Sequence, residues 1–200
     1  MHTLENKDFD TIIEALVSKG YIILEEVLPQ ELVNELHQRI SSLTNLNEAK
    51  IGRGNERQKV SSIRSDKTLW LEGEDASEEA YLEWMENLRQ EVNQALYLGL
   101  FEYEAHFAQY EKGAFYQKHL DVLKGNNPRV LTTVFYLNKQ WQEGDGGELL
   151  IYDEAGEEVL EKVSPTLGKM VIFLSDKFAH EVLPAHTRRY SIAGWFKKSA

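Results

Sequence analysis

Apolar residues recur at intervals of three and four in the first half of the chain, which is the spacing of one face of a helix. This pattern predicts helices over residues 8–19, from about Pro29, and through Tyr81 to about Leu98. Gly20 is expected to end the first helix, and proline suits the first turn of the second. The apolar faces are formed by Ile12, Ile13, Leu16 and Val17, by Leu32, Val33, Leu36 and Ile40, and by Tyr81, Met85, Leu88, Val92 and Leu96.

After Leu98 the apolar residues form short runs with a period of two, which is typical of strands. Clusters of glycine, asparagine, aspartate and proline separate these runs, and the cluster at residues 144–147 predicts a hairpin turn or a bulge. A short strand is also expected at Tyr21–Leu24. The strands predicted in the second half are Phe101–Tyr110, Arg129–Leu137, Glu148–Tyr152, Lys169–Leu174 and Arg189–Phe196.

Helices followed by closely spaced strands are typical of an α+β domain whose β half is a barrel or a jelly roll. We predict a single domain over residues 1–200, with residues 1–98 as mainly helical support and loop and residues 99–197 as the β core. The loop is the polar segment from Asn45 to Lys67, and long loops in compact domains are often functional. The acidic stretch from Glu72 to Glu86 is interpreted as a solvated face and a helix N-terminus.

Composition narrows the classes of function. The chain has no cysteine, which excludes disulfide scaffolds and thiolate chemistry, so any metal must be held by the six histidines and the carboxylates. A formal net charge of −11 argues against a protein that binds nucleic acid mainly through phosphate contacts. No apolar run approaches the roughly 20 residues of a membrane span, and the first residues lack a signal peptide's features. We therefore expect a cytoplasmic protein with no membrane partner.

Two histidines and an aspartate are candidate metal ligands. If the segment around His119 and Asp121 is a strand, its period of two places both side chains on one face. His180 follows the strongly apolar run Met170–Leu174. Two histidines and one carboxylate form the facial triad that binds non-haem iron(II) and leaves coordination positions open. The alternatives are a surface histidine–aspartate pair and a structural histidine at a strand end.

The last predicted strand, Arg189–Phe196, carries a cation on one of its faces. Alternation places Arg189 and Ser191 on one face and Tyr190 and Ile192 on the other, and the pattern leaves open which face is the inner one. An inward guanidinium would need an anionic partner, which no residue of this strand supplies. A ligand carboxylate could bind it bidentately beside the Ser191 hydroxyl. The alternative is that Arg189 is an exposed charge.

The combination of these elements resembles the iron(II)- and 2-oxoglutarate-dependent dioxygenases. It is most similar to the prolyl 4-hydroxylase superfamily, in particular the hypoxia-inducible-factor prolyl hydroxylases and their bacterial relatives. The similarity covers about residues 60–197 and implies a double-stranded β-helix, which is a jelly roll with a metal near one mouth. The motifs that carry it, besides His119-x-Asp121, are Ile63–Gly73, Val130–Asn138 with Trp141, Gly146–Tyr152, Phe173–Asp176, His180–Pro184 and Arg189–Ile192.

The resemblance also implies roles for particular residues. The expected iron ligands, which are catalytic together with Arg189, are His119, Asp121 and His180. The expected 2-oxoglutarate site consists of Arg189 on the distal carboxylate together with Tyr136, Tyr110 and Ser191. The residues expected beside the substrate are Arg129 and Trp195.

The activity that the resemblance implies is hydroxylation of an unactivated C–H bond, foremost 4-hydroxylation of a prolyl residue in a protein or peptide. Dioxygen and 2-oxoglutarate would be consumed, with succinate and carbon dioxide as coproducts and ascorbate as a candidate further cofactor. The segment 45–72 could close over the polypeptide. Two alternatives stay open: hydroxylation of a free amino acid, another small molecule or another side chain, and a non-catalytic metal-binding jelly roll.

Overall fold

The computed structural model describes residues 6–49, 63–122 and 128–199. Its helices are α1 (Asn6–Ser18), α2 (Gln30–Ser42) and α3 (Ala76–Leu96). Pro29 occupies the N-cap of α2, and the Asp75 carboxylate caps α3 by accepting a hydrogen bond from the amide of Glu78. Tyr97, in a left-handed conformation with φ of 53°, ends α3. The three predicted helices are thus confirmed, with α3 ending two residues before Leu98.

The strands form two antiparallel sheets. The larger sheet has the order β1-β9-β6-β11-β4-β3-β2, and the smaller has the order β5-β10-β7-β8. This arrangement confirms the α+β jelly-roll fold. The strand bounds are β1 (Tyr21–Leu24), β2 (Asn47–Glu48), β3 (Lys67–Trp70), β4 (Leu100–Tyr110), β5 (Tyr116–His119), β6 (Arg129–Tyr136), β7 (Leu149–Tyr152), β8 (Val159–Val163), β9 (Met170–Leu174), β10 (His180–Val182) and β11 (Arg189–Lys198).

The central strands of the larger sheet are buried on both faces, and each face belongs to a different apolar cluster. On β9, Met170 and Ile172 pack with the helices, whereas Val171 and Phe173 pack between the two sheets. On β6, Leu131 and Phe135 take the helix side and Val134 the side between the sheets. Because side chains alternate along a strand, a sheet covered on both faces reads as continuous apolar runs.

Some sequence expectations differ from the structure in detail. Val17 was expected on the apolar face of α1, but its side chain is 69% exposed, while Ile12 and Leu16 are buried. The short strands β2, β3, β5, β8 and β10 were not among those predicted from apolar runs, because polar residues interrupt each of them. Three strands of the first half, β1 to β3, join the larger sheet. The division into residues 1–98 and 99–197 stays a prediction.

Among the residues that the structure describes, no helix is both long enough and apolar enough to cross a membrane.

Candidate active site

A cavity of about 750 Å³ opens between the two sheets. Its wall takes residues from β2 to β7, from β10 and from β11, so both sheets contribute to it. Apolar side chains, including Val134, Leu149 and Val182, alternate around it with polar and charged ones. The side chains with candidate chemistry that line it are His119, Asp121, His180, Tyr110, Arg189, Ser191, Arg129 and Trp195.

The structure brings His119, Asp121 and His180 together. His119 is the last residue of β5 and His180 the first of β10, and the two residues are paired across these strands. His119 Nε2 lies 3.7 Å from Asp121 Oδ1, and His180 Nε2 lies 3.5 Å from Asp121 Oδ2. One ligand atom from each of the three residues lies within 4.8 Å of the others. The three side chains thus form one compact donor set.

The expectation that His119 and Asp121 share a strand face is wrong for Asp121. Strand β5 ends at His119, and Asp121 lies in a bend two residues further on. The bend, rather than strand alternation, directs the carboxylate toward the two imidazoles. Asp121 is 5% exposed, so its position is fixed by the surrounding packing.

Hydrogen bonds orient each of the three side chains. The Nδ1 of His119 lies 2.7 Å from the Gln117 carbonyl oxygen, and the Nδ1 of His180 lies 3.2 Å from the Phe178 carbonyl oxygen. With Nδ1–H donating to these carbonyls, each Nε2 lone pair is available to a metal. The Thr132 hydroxyl donates to Asp121 Oδ2 at 2.8 Å and contacts the Ser175 hydroxyl at 2.9 Å.

The charges of the site suit a divalent cation. Burial, reinforced by the nearby His180 imidazole, lowers the pKa of His119 to about 3. Burial alone would raise the pKa of Asp121, but His180, His119 and Arg129 more than offset it and lower this pKa to about 2. At neutral pH His119 is therefore neutral and Asp121 ionised, which are the protonation states that metal ligation requires.

A buried cation lines the same cavity. Arg189 is 3% exposed, so the face of β11 that carries it points inward. Its Nε donates to the Gly147 carbonyl at 2.8 Å and its Nη1 to the Ser191 hydroxyl at 3.0 Å. Its guanidinium carbon lies 4.7 Å from the ring centre of Tyr110 and 5.1 Å from that of Tyr136.

Two observations around Arg189 indicate which ligand would suit it. Arg189 has no carboxylate within 4.0 Å among the residues that the structure describes. The Tyr136 hydroxyl is buried and has no hydrogen-bond partner within the described part of the chain. Burial raises the pKa of Tyr136 to about 12, so its hydroxyl stays protonated and can donate. Since an unpaired buried guanidinium is costly, the pair fits an anion with acceptor oxygens.

Gly147 has a role that the sequence did not reveal. The turn predicted at residues 144–147 is present, but its last glycine also seats Arg189. A Cβ added at Gly147 would lie 2.8 Å from Arg189 Cδ, and the φ of this residue is +73°. The adjacent glycines before an apolar strand were the available signal, because glycine in such a place often permits a close approach.

Arg129 and Trp195 lie side by side near the candidate ligands. The guanidinium carbon of Arg129 lies 3.7 Å from the Trp195 ring centre, and its Nη1 lies 3.7 Å from Asp121 Oδ1. The indole nitrogen of Trp195 is buried and has no hydrogen-bond partner among the described residues. His106, between the rings of Trp70 and Trp195, adds a further aromatic surface. This part of the cavity combines aromatic faces with one cation.

The described part of the predicted 45–72 segment borders the cavity through β2 and β3. Residues 50–62, on which the expected closure over a substrate mainly depends, lie outside the described residues. That expectation stays a prediction.

Comparison with known proteins identifies the family. The sequence profile of the 2OG-Fe(II) oxygenase superfamily matches residues 105–197, which include all the candidate site residues. The structure of a Pseudomonas putida prolyl-4-hydroxylase superposes with a TM-score of 0.85 and 36% identity, covering 96% of this chain and 100% of that one. The chain belongs to the 2OG-Fe(II) oxygenase superfamily. Membership of this superfamily implies iron(II) as the cofactor and 2-oxoglutarate as the cosubstrate.

Further relatives are similar to this chain at lower sequence identity. Egl nine homolog 1 of Homo sapiens is 28% identical over 197 residues, a match to 92% of this chain and 45% of that protein. The chain spans about half the length of this relative and of its rat and mouse counterparts. A Trichoplax adhaerens prolyl hydroxylase, solved with a peptide fragment of hypoxia-inducible factor, shares the fold at a TM-score of 0.83, with 23% identity and coverage of 96% and 90%.

The residues of the site fit both iron(II) and 2-oxoglutarate. Two imidazoles and an ionised carboxylate are the donors expected for non-haem iron(II). Arg189 without a carboxylate partner, among the described residues, fits a terminal carboxylate of 2-oxoglutarate, and the orphaned Tyr136 hydroxyl fits the same anion.

Proposed function

We propose that the protein is an iron(II)- and 2-oxoglutarate-dependent dioxygenase that 4-hydroxylates a prolyl residue of a protein or peptide. One observation carries this proposal. The donor set of His119, Asp121 and His180 lines the same cavity as the buried Arg189. Among the described residues, Arg189 has no carboxylate partner. A non-catalytic metal-binding jelly roll would have no use for that cation.

Each residue of the site has a defined task in the proposed reaction. His119, Asp121 and His180 would hold iron(II), while Arg189 and Tyr136 would bind and orient a carboxylate of 2-oxoglutarate, with Ser191 and Tyr110 beside them. When bound, iron(II) and 2-oxoglutarate supply the oxidising chemistry, in which dioxygen puts one oxygen atom into a C–H bond and the other into succinate as carbon dioxide leaves. The apolar side chains of Val134, Leu149 and Val182 line the cavity and would keep water away from the reacting atoms.

A prolyl substrate is supported by the names of the relatives and by the cavity. The Pseudomonas putida relative is described as a prolyl-4-hydroxylase, and the Trichoplax adhaerens enzyme was solved with a peptide. In this chain the aromatic faces of Trp195, Trp70 and His106 beside Arg129 suit an apolar ring carried on a polypeptide. A cytoplasmic location and ascorbate as a reductant for the metal are part of the same proposal, and nucleic acid is not the expected partner.

The test combines a product assay with one matched pair of variants. The full-length protein is incubated with iron(II), 2-oxoglutarate, ascorbate and a lysate of host proteins, and prolyl residues that gain one oxygen atom are mapped by mass spectrometry while succinate is measured. Arg189→Met should raise the KM for 2-oxoglutarate by about 10- to 100-fold, because a hydrogen bond to a charged group contributes about 1.5–3 kcal/mol. Arg188→Met, which removes an exposed arginine paired with Glu111, should leave it unchanged.

The outcomes separate the candidate functions. Succinate formation without oxygen on a prolyl residue would assign the enzyme to another substrate, such as a free amino acid, another small molecule or another side chain. No 2-oxoglutarate consumption by a metal-loaded protein would overturn the oxygenase proposal and favour the non-catalytic metal-binding module.

A further inference from the structure

One face of the His119 ring is covered by a stack of two side chains, Tyr116 and Arg64. Neither of them has a role in the proposed reaction. The Tyr116 ring lies parallel to the His119 imidazole, with ring centres 3.7 Å apart and an interplanar angle of 17°. The guanidinium carbon of Arg64 lies 4.5 Å from the centre of the Tyr116 ring. The cation therefore contacts the tyrosine, and the tyrosine contacts the histidine.

The outer end of the stack is itself rigidly held. Arg64 donates two hydrogen bonds to Asp66, from Nε to Oδ1 at 2.8 Å and from Nη2 to Oδ2 at 2.6 Å. The side chain of Asp66 is fully buried, and that of Arg64 is 12% exposed. A bidentate arginine–carboxylate pair fixes the plane of the guanidinium as well as its position. Arg64 thus presents a fixed face to Tyr116.

The backbone of the same segment also supports β5. Arg64 and Tyr116 form an antiparallel bridge, the Gln117 amide donates to the Ile63 carbonyl at 2.8 Å, and the Ser65 amide donates to the Phe115 carbonyl at 3.1 Å. Strand β5 is only four residues long, forms an edge of the smaller sheet and ends at His119. Residues 63–66 therefore brace the strand that carries His119.

The two histidines of the donor set differ in how much support their own strands provide. His180 lies in β10, between β5 and β7, and its ring packs edge to face with that of Phe173, with the ring centres 4.8 Å apart. Its side chain is 7% exposed, whereas that of His119 is 19% exposed. His119 has one strand neighbour and stands at a strand end. The Gln117 carbonyl holds the ring at a single atom, Nδ1, so the plane of the ring needs further support. Tyr116 provides that support.

We propose that Tyr116, backed by the Arg64–Asp66 pair, is a positioning residue that fixes the His119 imidazole for metal binding. The inference rests on the proposed function, because it takes His119 as a metal ligand. Metal ligation withdraws electron density from an imidazole, and the electron-rich face of a tyrosine attracts such an electron-poor ring. The stack therefore stabilises the metal-bound histidine as well as its orientation.

The test measures metal affinity rather than turnover. Cobalt(II) is titrated into the metal-free full-length protein, and both the dissociation constant and the visible absorption of bound cobalt are recorded. Tyr116→Leu should weaken cobalt binding by about 10- to 100-fold, the usual effect of removing a group that orients a ligand, and should shift the absorption bands. Tyr116→Phe keeps the stacked ring and should restore wild-type affinity.

Two further variants accompany this test: the first controls for a general loss of packing, and the second removes the support behind Tyr116. Phe9→Leu removes a buried ring of α1 that packs on Trp84 of α3 in the helix-side cluster, so it should lower stability without changing cobalt affinity. The double variant Arg64→Met with Asp66→Asn removes the charges without leaving either one unpaired. It should weaken cobalt binding while Tyr116 is still present, and it keeps the proposal falsifiable if Tyr116→Leu does not fold.

The outcomes distinguish this inference from the function on which it rests. If the wild-type protein binds no cobalt, the proposed function fails at the metal site. If it binds cobalt and Tyr116→Leu or the double variant binds it equally well with the same spectrum, only the positioning role is overturned.

Discussion

At the scale of single residues, the chemistry of the site depends on side chains that touch the candidate ligands without being ligands themselves. Thr132 is one of them, because its hydroxyl donates to Asp121 and also contacts Ser175. Thr133, its neighbour on β6, points to the opposite face and binds the Tyr103 hydroxyl at 2.7 Å. Adjacent threonines thus serve the cavity and the helix-side core separately.

This division predicts different effects for two similar substitutions. Thr132→Val should weaken cobalt(II) binding by about tenfold or more, because Asp121 loses the donor that orients it. Thr133→Val should instead lower the free energy of unfolding by about 1 kcal/mol, through loss of a buried hydrogen bond, and leave cobalt affinity unchanged. Titration of both variants, with urea unfolding of the metal-free proteins, measures the contrast. Equal cobalt affinities would contradict the role given to Thr132.

Gly147 and Gly144 provide a second matched pair. Both have positive φ, +73° and +98°, so alanine should cost either position about 1–2 kcal/mol of backbone strain. Only at Gly147 would the new Cβ meet Arg189, whereas nothing lies within 4 Å of one at Gly144. Gly147→Ala should therefore raise the KM for 2-oxoglutarate, and Gly144→Ala should not. A shared effect on KM would assign the change to the turn as a whole.

At the scale of elements, the first turn of α3 shows how an acidic stretch is used. The carboxylate of Asp75 accepts hydrogen bonds from the Glu78 amide and the Ser77 hydroxyl. Glu78 itself is 1% exposed and pairs with Arg39 of α2 at 2.8 Å. The interpretation of this stretch as a helix N-terminus is therefore confirmed, but Glu78 is a buried connection between two helices rather than part of a solvated face.

The cap of α3 predicts a pH-dependent contribution to stability. Burial would raise the pKa of Asp75, but hydrogen bonds from Glu78 and Ser77 and the charge of Arg39 lower it below its ordinary value. A carboxyl group whose pKa is lowered by folding stabilises the protein above its unfolded pKa of about 3.9, and that stabilisation is lost as the pH falls. Asp75→Ala should therefore cost about 1 kcal/mol at pH 7 and less in acid.

Urea unfolding at pH 7 and at pH 3 measures this difference. Asp75→Asn, which keeps a capping oxygen but no charge, is the matched control and should cost less than alanine at pH 7. A loss for Asp75→Ala that is the same at both pH values would show that the cap acts without its charge.

At the scale of the whole molecule, the site joins the two sheets. His119 and His180 belong to the smaller sheet, and Arg189 belongs to the larger one. Cobalt(II) with 2-oxoglutarate, each at 100 times its dissociation constant, should therefore raise the Tm by several degrees, since each bound ligand adds about 2.7 kcal/mol. Differential scanning calorimetry checks this, and His180→Ala should abolish the part due to cobalt. An unchanged Tm in the wild type would mean that the ligands do not bind the folded state.

Much of the fold and the candidate ligands that the structure brings together could be predicted from the sequence. The helices α1 to α3 and the long strands follow from apolar periodicity, and the spacing of His119, Asp121, His180 and Arg189 led to the superfamily. The residues that support these groups could not be found in the same way. Thr132, Gly147 and the Arg64–Tyr116 stack meet the site through contacts between segments that are distant in sequence. Periodicity within one strand carries no information on which distant segments come together.

Because both faces of β11 are buried, a shift in the register of this strand would be costly. Ile192 and Phe196 pack with the helix-side cluster, while Arg189, Ser191 and Trp195 face the cavity. A slip of one residue against β4 and β6 would exchange these sets, driving a guanidinium into hydrocarbon and apolar side chains into the polar cavity. A misaligned chain thus loses stability on both faces of β11, and the native register is the one that places Arg189 in the cavity.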